Sequence, residues 1–467
     1  MAPSLTRSLS FLLAVSLLLP CSGTRAQAPK LHFTHLSGEQ GLSNSTIEAI
    51  FQDSRGFIWI GTRDGLNRYD GHEMLVYRYD PSDSNSLSDS YIRYICEDRS
   101  HQLWIGTING LNRLDPARNR FISYKHRDHD DNSLSHNGIT ALLEDHSGRL
   151  WVATDGGGLN RYDPSTGRFL HFGEGPDHIY CLYEDHAGSI WVGAQTGLYC
   201  YHPSAATFSH LSNPAITNPS GNKILAIQED RQGDLWLGTE DDGLFLFDPL
   251  QKTFTRFAHS DKAPFSLGNN MINCMLTDHL GRLWAGSING GLNLFNAPTG
   301  SFFHYAYEPG NASSLSQRTI SALFEDHQGN LWIGTHRGGI NIYSPGTEKF
   351  DLYRQEPSPN SLSYNDVKTF CEDRDGSGNI WIGTDGGGLD LFNRDRHTFR
   401  HYGYDPFNVH SLGSSAVLDV MQDREGAIWV STWGGGLNGF DKVRSTFTRY
   451  QTNPADSHSI KIGRAHV

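Results

Sequence analysis

Apolar residues along this chain come in short runs broken by Gly, Asp and Asn, and the pattern of runs repeats. Nine tryptophans mark the period: Trp59, Trp104, Trp151, Trp191, Trp236, Trp284, Trp332, Trp381 and Trp429, on average about 46 residues apart. Alignment on Trp brings its surroundings into line. Six residues before it stands Asp53, Asp98, Asp145, Asp185, Asp230, Asp278, Asp326 or Asp423, and Asp373 takes that place after a two-residue insertion. Gly stands three residues before Trp in eight of nine repeats, His101 being the exception. A β-branched residue precedes the Asp in all nine, from Ile47 to Val417. After Trp comes Gly-Leu or Gly-Ile, then an aromatic in eight of nine repeats, such as Tyr69 or Phe440, then a last pair such as Phe121 with Tyr124. Each repeat reads as four short β-strands separated by turn signals.

The Asp-x-x-Gly step predicts a hairpin turn between the first two strands. Its carboxylate can accept backbone N–H groups, and Gly can take positive φ. Nine Asp at one offset also resemble a catalytic or metal array, but on separate repeats they stand too far apart to converge. The tryptophans are expected to pack between neighbouring repeats. One four-stranded sheet cannot bury both faces, whereas repeats stacked around a ring can. The expected fold class is therefore all-β, a β-propeller of nine four-stranded blades. Phe33-Thr34-His35-Leu36 copies a fourth strand ahead of the first complete repeat. A ring needs such a strand if its last blade is completed from both ends. Seven repeats plus this strand would close a seven-bladed propeller over 31–345, and 346–457 would hold the first two blades of a second, incomplete one.

Charge and cysteine usage narrow the function. The net charge of −13 leaves no basic face to offset phosphate repulsion, which argues against a nucleic-acid partner. The 23 His show no metal-ligand spacing, and no cofactor or metal is expected. Cys96, Cys181, Cys274 and Cys371 fall in first strands and, with Cys200, read as small core residues rather than a disulfide framework. Residues 1–26 read as a secretory signal peptide, with Arg7, an apolar stretch from Leu9 to Leu19 and the small-residue cut Thr24-Arg25-Ala26. Pro20 before Cys21 makes a poor lipidation site. No later segment is long and apolar enough to cross a bilayer.

The unit S-L-S-x4-I-x2-L-x-E-D-x2-G-x-L-W-[IV]-[GA]-T-x3-G-L-N-x-[YF]-D-P-x-T-x2-F resembles the two-component regulator propeller repeat, most clearly at Ser133–Phe169, Ser314–Phe350 and Ser361–Phe399. The resemblance runs from residue 31 to about 457. It implies the periplasmic sensor region of an inner-membrane receptor. In that family two seven-bladed propellers lead through a β-sandwich domain and a membrane helix to a histidine kinase or a diguanylate cyclase, and many members sense oligosaccharides. None of those output motifs is in this chain, so the membrane and a homodimer of the full receptor enter only through further segments. Residues 458–467 read as a tenth repeat that stops: His458-Ser459-Ile460 stands where Ser-Leu-Ser belongs, and Lys461 to Val467 resembles translated adapter sequence. A truncated gene is the expectation, a diverged last strand the alternative.

A ligand is expected on one rim. Loops from second to third strand share a rim with the blade-to-blade loops and vary around a fixed frame, which is where function tends to sit. The candidates are Asp155, Glu240, Asn289, His336, Arg337, Asp385 and Trp433, against the plain reading of each as a solvated turn. Trp433 and His336-Arg337 best suit a sugar, though on separate rings. Two readings compete with a sensor of a small ligand or oligosaccharide. A propeller lyase or glycosidase would need a convergent acid/base pair, and Asp155 and Glu240 show no telling spacing. A docking propeller would need no pocket. No catalytic residue is assigned.

Overall fold

The computed structural model describes residues 29–173, 175–202, 207–211, 223–345 and 352–460. The expected signal peptide, Glu174, Gly346, Phe350 and Lys461 to Val467 lie outside them. The described chain from Leu31 onward forms one unit of nine four-stranded antiparallel sheets. An N-terminal strand β1 (Phe33–Leu36) precedes blade 1, which consists of β2 (Ile47–Gln52), β3 (Ile58–Thr62), β4 (Gly65–Tyr69) and β5 (Met74–Tyr77). Its four strands pair in sequence order, and blades 2 to 6 repeat this arrangement. Blade 7 supplies only three strands, and β1 completes it: Phe33 pairs with Tyr343 and Leu36 with Ile340. Blade 7 then packs on blade 1. Ser321 Oγ donates to the Ile47 carbonyl at 2.5 Å, and the His327 N–H donates to Gln52 Oε1 at 2.8 Å. Tyr69 meets Trp332 edge-on, ring centroids 6.3 Å apart. The seven first strands line a central channel of about 430 Å³.

Each repeat motif has a structural partner. The Asp carboxylate caps its own turn: Asp145 Oδ1 accepts the N–H groups of Ser147 and Arg149. Its other oxygen accepts the indole N–H of the Trp six residues on, at 2.8 Å in blade 3. The same indole bond recurs in blades 1, 2, 4, 6, 7, 8 and 9. This orients the Trp toward the following blade, where Trp59, for example, lies among Leu87, Ile92, Leu103 and Phe121. In blade 8 the insertion lengthens the turn, yet Asp373 still reaches Trp381 at 3.0 Å. His101, where the other repeats have Gly, takes the same left-handed conformation with φ 59.

The Glu before the Asp serves the neighbouring blade. Glu184 accepts the backbone N–H and Nδ1 of His146 in the preceding turn, Glu229 does so for His186, and Glu325 for His279. Gly in the next turn leaves room for that histidine: a Cβ on Gly188 would lie 2.7 Å from His146 Cε1. The Ser-Leu-Ser loop is held by the Asn of Gly-Leu-Asn. Asn67 accepts the Ser43 N–H at 2.9 Å and donates to Ser43 Oγ and the Ile60 carbonyl. The loop's Leu is thereby buried between blades, as with Leu87, Leu134, Leu267, Leu315 and Leu412. All five described cysteines carry free thiols.

Candidate functional site at the channel mouth

The channel mouth is built by a backbone irregularity. In every blade the pairing of the first and second strands slips by one residue just after the β-branched position, between Ile47 and Ala49 in blade 1. The slip recurs through blades 2 to 7. A β-bulge re-aims the extra side chain. In the ring the bulged residues are Glu48, Arg93, Thr140, Tyr180, Leu225, Asn273 and Ser321, and all seven line the channel. One scaffold position thus supplies seven different side chains to a single opening.

The charged part of the mouth spans blades 1 to 4. Glu48, Tyr91, Arg93, Thr140, Asp155 and Tyr180 enclose a recess of about 300 Å³. Arg63 Nε donates to Glu48 at 2.7 Å, and the Tyr91 hydroxyl donates to the same oxygen at 3.1 Å. The Arg63 and Arg93 guanidiniums lie 5.4 and 5.7 Å from the centre of the Tyr91 ring. Burial first, and then the Glu48 carboxylate, raise the Tyr91 hydroxyl above its ordinary pKa. Asp155 faces His178 Nδ1 at 3.0 Å and Arg93 at 3.8 Å. Thr140 Oγ1 and Asn273 Oδ1 are buried against the channel and bond to no described residue.

The expected rim residues separate into three groups. Asp155 lines the recess. Glu240 is not in its lining and pairs with Lys223 of the same blade at 2.7 Å. Asn289, His336 and Arg337 lie on the second-to-third loops of blades 6 and 7. Asn289 shares Thr319 with its neighbour blade, and both Asn289 and Arg337 adopt positive φ in their turns. None of these three lines the recess or the channel. Asp385 pairs with Lys368 in blade 8, and Trp433 stands 73% exposed in blade 9. Glu48, Tyr91, Arg93, Thr140 and Tyr180 escaped the loop-based reading because they belong to strands or their starts. Their signal was the position after the β-branched residue, where nine otherwise regular repeats carry eight residue types. Among the described residues no three His, Cys, Asp or Glu gather as a metal site.

A closed seven-bladed ring of four-stranded blades around a polar, asymmetric channel mouth defines the class, a β-propeller. The repeat profile of the two component regulator propeller matches residues 41–64, 86–109, 133–156, 173–196, 218–241, 266–289, 314–337 and 411–434, and the chain belongs to this family. Blade 8, with its lengthened turn, is not among the matched segments. A 62-residue stretch is 45% identical to Histidine kinase P4 of Formosa agariphila, covering 13% of this chain and 4% of that protein. The extracellular domain of the putative hybrid two component system BT3049 from B. thetaiotaomicron superposes with a TM-score of 0.65 at 27% identity, over 91% of this chain and 55% of that one. The chain thus spans about half the length of that relative. Virginiamycin B lyase from Staphylococcus aureus, at 12% identity and TM-score 0.51 over 68% of this chain and 99% of its own, shares the fold alone.

Proposed function

We propose that this chain is an exported, ligand-sensing propeller region of a two-component receptor, and that its ligand, an oligosaccharide, seats at the channel mouth of the seven-bladed ring. The observation that carries the reading is the convergence of seven bulged side chains on one opening, with Arg93, Tyr91 and Tyr180 beside Asp155 and Glu48. Planar guanidinium and carboxylate groups match paired sugar hydroxyls, and tyrosine rings offer flat faces to sugar C–H groups. The resemblance to an extracellular two-component domain supports a sensing role. Glycan-array screening followed by calorimetry tests it. Arg93→Ala should weaken the best glycan by about 1–3 kcal/mol, the usual cost of leaving its buried partner unmet. Unchanged affinity in Arg93→Ala and Tyr180→Ala, with loss on changing His336 or Trp433, would move the site to the outer rim.

A further inference from the structure

Two guanidiniums lie over the Tyr91 ring at the channel mouth, and they are not equally served. Arg63 has its anion: its Nε donates to Glu48 at 2.7 Å, and the Tyr91 hydroxyl holds the same carboxylate oxygen at 3.1 Å. Arg93 donates no hydrogen bond to any described residue. Its nearest carboxylate oxygen among those residues, Asp155 Oδ2, stands 3.8 Å away, within reach of its charge but beyond hydrogen-bond distance. The other oxygen of Asp155 faces His178 Nδ1 at 3.0 Å. The strand explains the position of Arg93. It is the bulged residue of blade 2, where the pairing slips between Ile92 and Tyr94, and it lines the recess together with Thr140 and Tyr180. Its side chain is 33% exposed, so solutes reach it. A guanidinium cannot shed its proton in a protein, so the charge is permanent.

We propose that Arg93 binds a carboxylate of the ligand, and that the oligosaccharide taken at this mouth is acidic, with a uronic acid residue in the recess. The inference rests on the reading given under Proposed function and narrows its ligand class. A carboxylate meets the planar guanidinium fork with two parallel N–H···O bonds and cancels its charge, which a sugar hydroxyl cannot do. It would give Arg93 the partner that Glu48 already gives Arg63. Of the two carboxylates lining the recess, Glu48 is thus engaged by Arg63, and Asp155 is shared with His178. The chain as a whole carries a net charge of −13, so no long-range attraction gathers acidic sugars, and selection for them falls to this contact.

The test sets acids against their neutral twins. Galacturonate, glucuronate and mannuronate oligosaccharides are titrated calorimetrically into the folded protein. Each is run beside the same oligosaccharide with its carboxyl groups reduced to hydroxymethyl groups, and a sulfated oligosaccharide is run as a third arm. At least one acid should bind about tenfold or more tighter than its twin, because the twin leaves the fork without its anion. In Arg93→Gln that acid should fall to the level of its twin, with the twin's own affinity unchanged. Arg93→Lys, which keeps the charge and loses the fork, should recover only part of the preference. Twins that bind wild type as well as the acids, or an acid preference that survives in Arg93→Gln, would overturn this inference and leave the sugar reading standing. Preference for the sulfated sugar over every acid would overturn the carboxylate assignment. Binding of no glycan, acidic or neutral, would sink both readings. The wild-type comparison needs no variant, so the inference can fail even if Arg93→Gln does not fold.

Discussion

Blades 1 to 7 and blades 8 and 9 are built from one repeat, yet their cores differ. In the ring every first strand is covered on both sides: Ile95 and Leu142, three residues after the β-branched position, are 5% and 2% exposed. The equivalent Phe370 of blade 8 is 66% exposed. Trp381 of blade 8, with blade 9 packed on it, is as buried as the tryptophans of the ring, whereas Trp429 of blade 9 is only half-buried. A blade therefore does not own its core. Its Trp is buried by the blade that follows, and its first strand by the blade that precedes. Stability in such a structure resides largely in the interfaces, as expected of a repeat array, and closure adds an interface that an open row lacks.

The comparison is broken most severely by opening the ring. Removal of residues 31–37 strips blade 7 of its fourth strand and bares a sheet edge, so the shortened chain should aggregate where the intact chain stays dispersed. Light scattering of the two checks this; equal dispersity and equal melting would mean that β1 does not close the ring. Next in size, Trp59→Ala should cost about 3–5 kcal/mol as a buried large-to-small change, and Trp429→Ala less than half as much, because its site is already partly open. Equal shifts in melting temperature would contradict the interface account of the core.

A smaller effect comes from the turn carboxylate. Burial opposes ionisation of Asp145, but the Trp151 indole, the Arg149 N–H and the Arg149 guanidinium outweigh it and hold the carboxyl below its ordinary range. A depressed pKa gives stability that is present above the unfolded carboxylate range and lost as the pH falls through the folded value. Asp145→Ala should cost about 1–3 kcal/mol at neutral pH, because it orphans the buried indole and two N–H groups. The variant should also melt with a flatter acid dependence than wild type.

The smallest effect is in the inter-blade histidine latches. The bond to Glu229, and then the carboxylate's charge, raise the pKa of His186. A raised pKa gives stability that is full below the ordinary histidine value of 6.5 and is lost as the pH rises through the folded one. Melting temperature should therefore fall slightly more between mildly acidic and mildly basic pH in wild type than in Glu229→Gln. Parallel curves would show that the latch is held by its backbone N–H bond alone.

The site was less legible than the fold for a reason visible in Asp155 and Arg93. Asp155 stands in a turn, and turns are where sequence variation draws attention. Arg93 stands inside a strand that alternation alone would assign to one face or the other, and a bulge overrides alternation. The outer-rim residues Asn289 and Arg337 vary for a different reason: positive φ in a tight turn selects the backbone, and their side chains are free to differ.

Sequence alone determined what is local and repeated: the four strands, the Asp-x-x-Gly turns, the inter-blade Trp and the orphan strand at Phe33, because each rests on short-range hydrogen bonds or on a period that recurs nine times. Tertiary structure decided what depends on residues about 46 positions apart coming together around an axis. The Glu latch on the preceding turn, the Asn that holds the Ser-Leu-Ser loop and the seven bulged side chains at the mouth each acquire a role only from a neighbouring blade or loop.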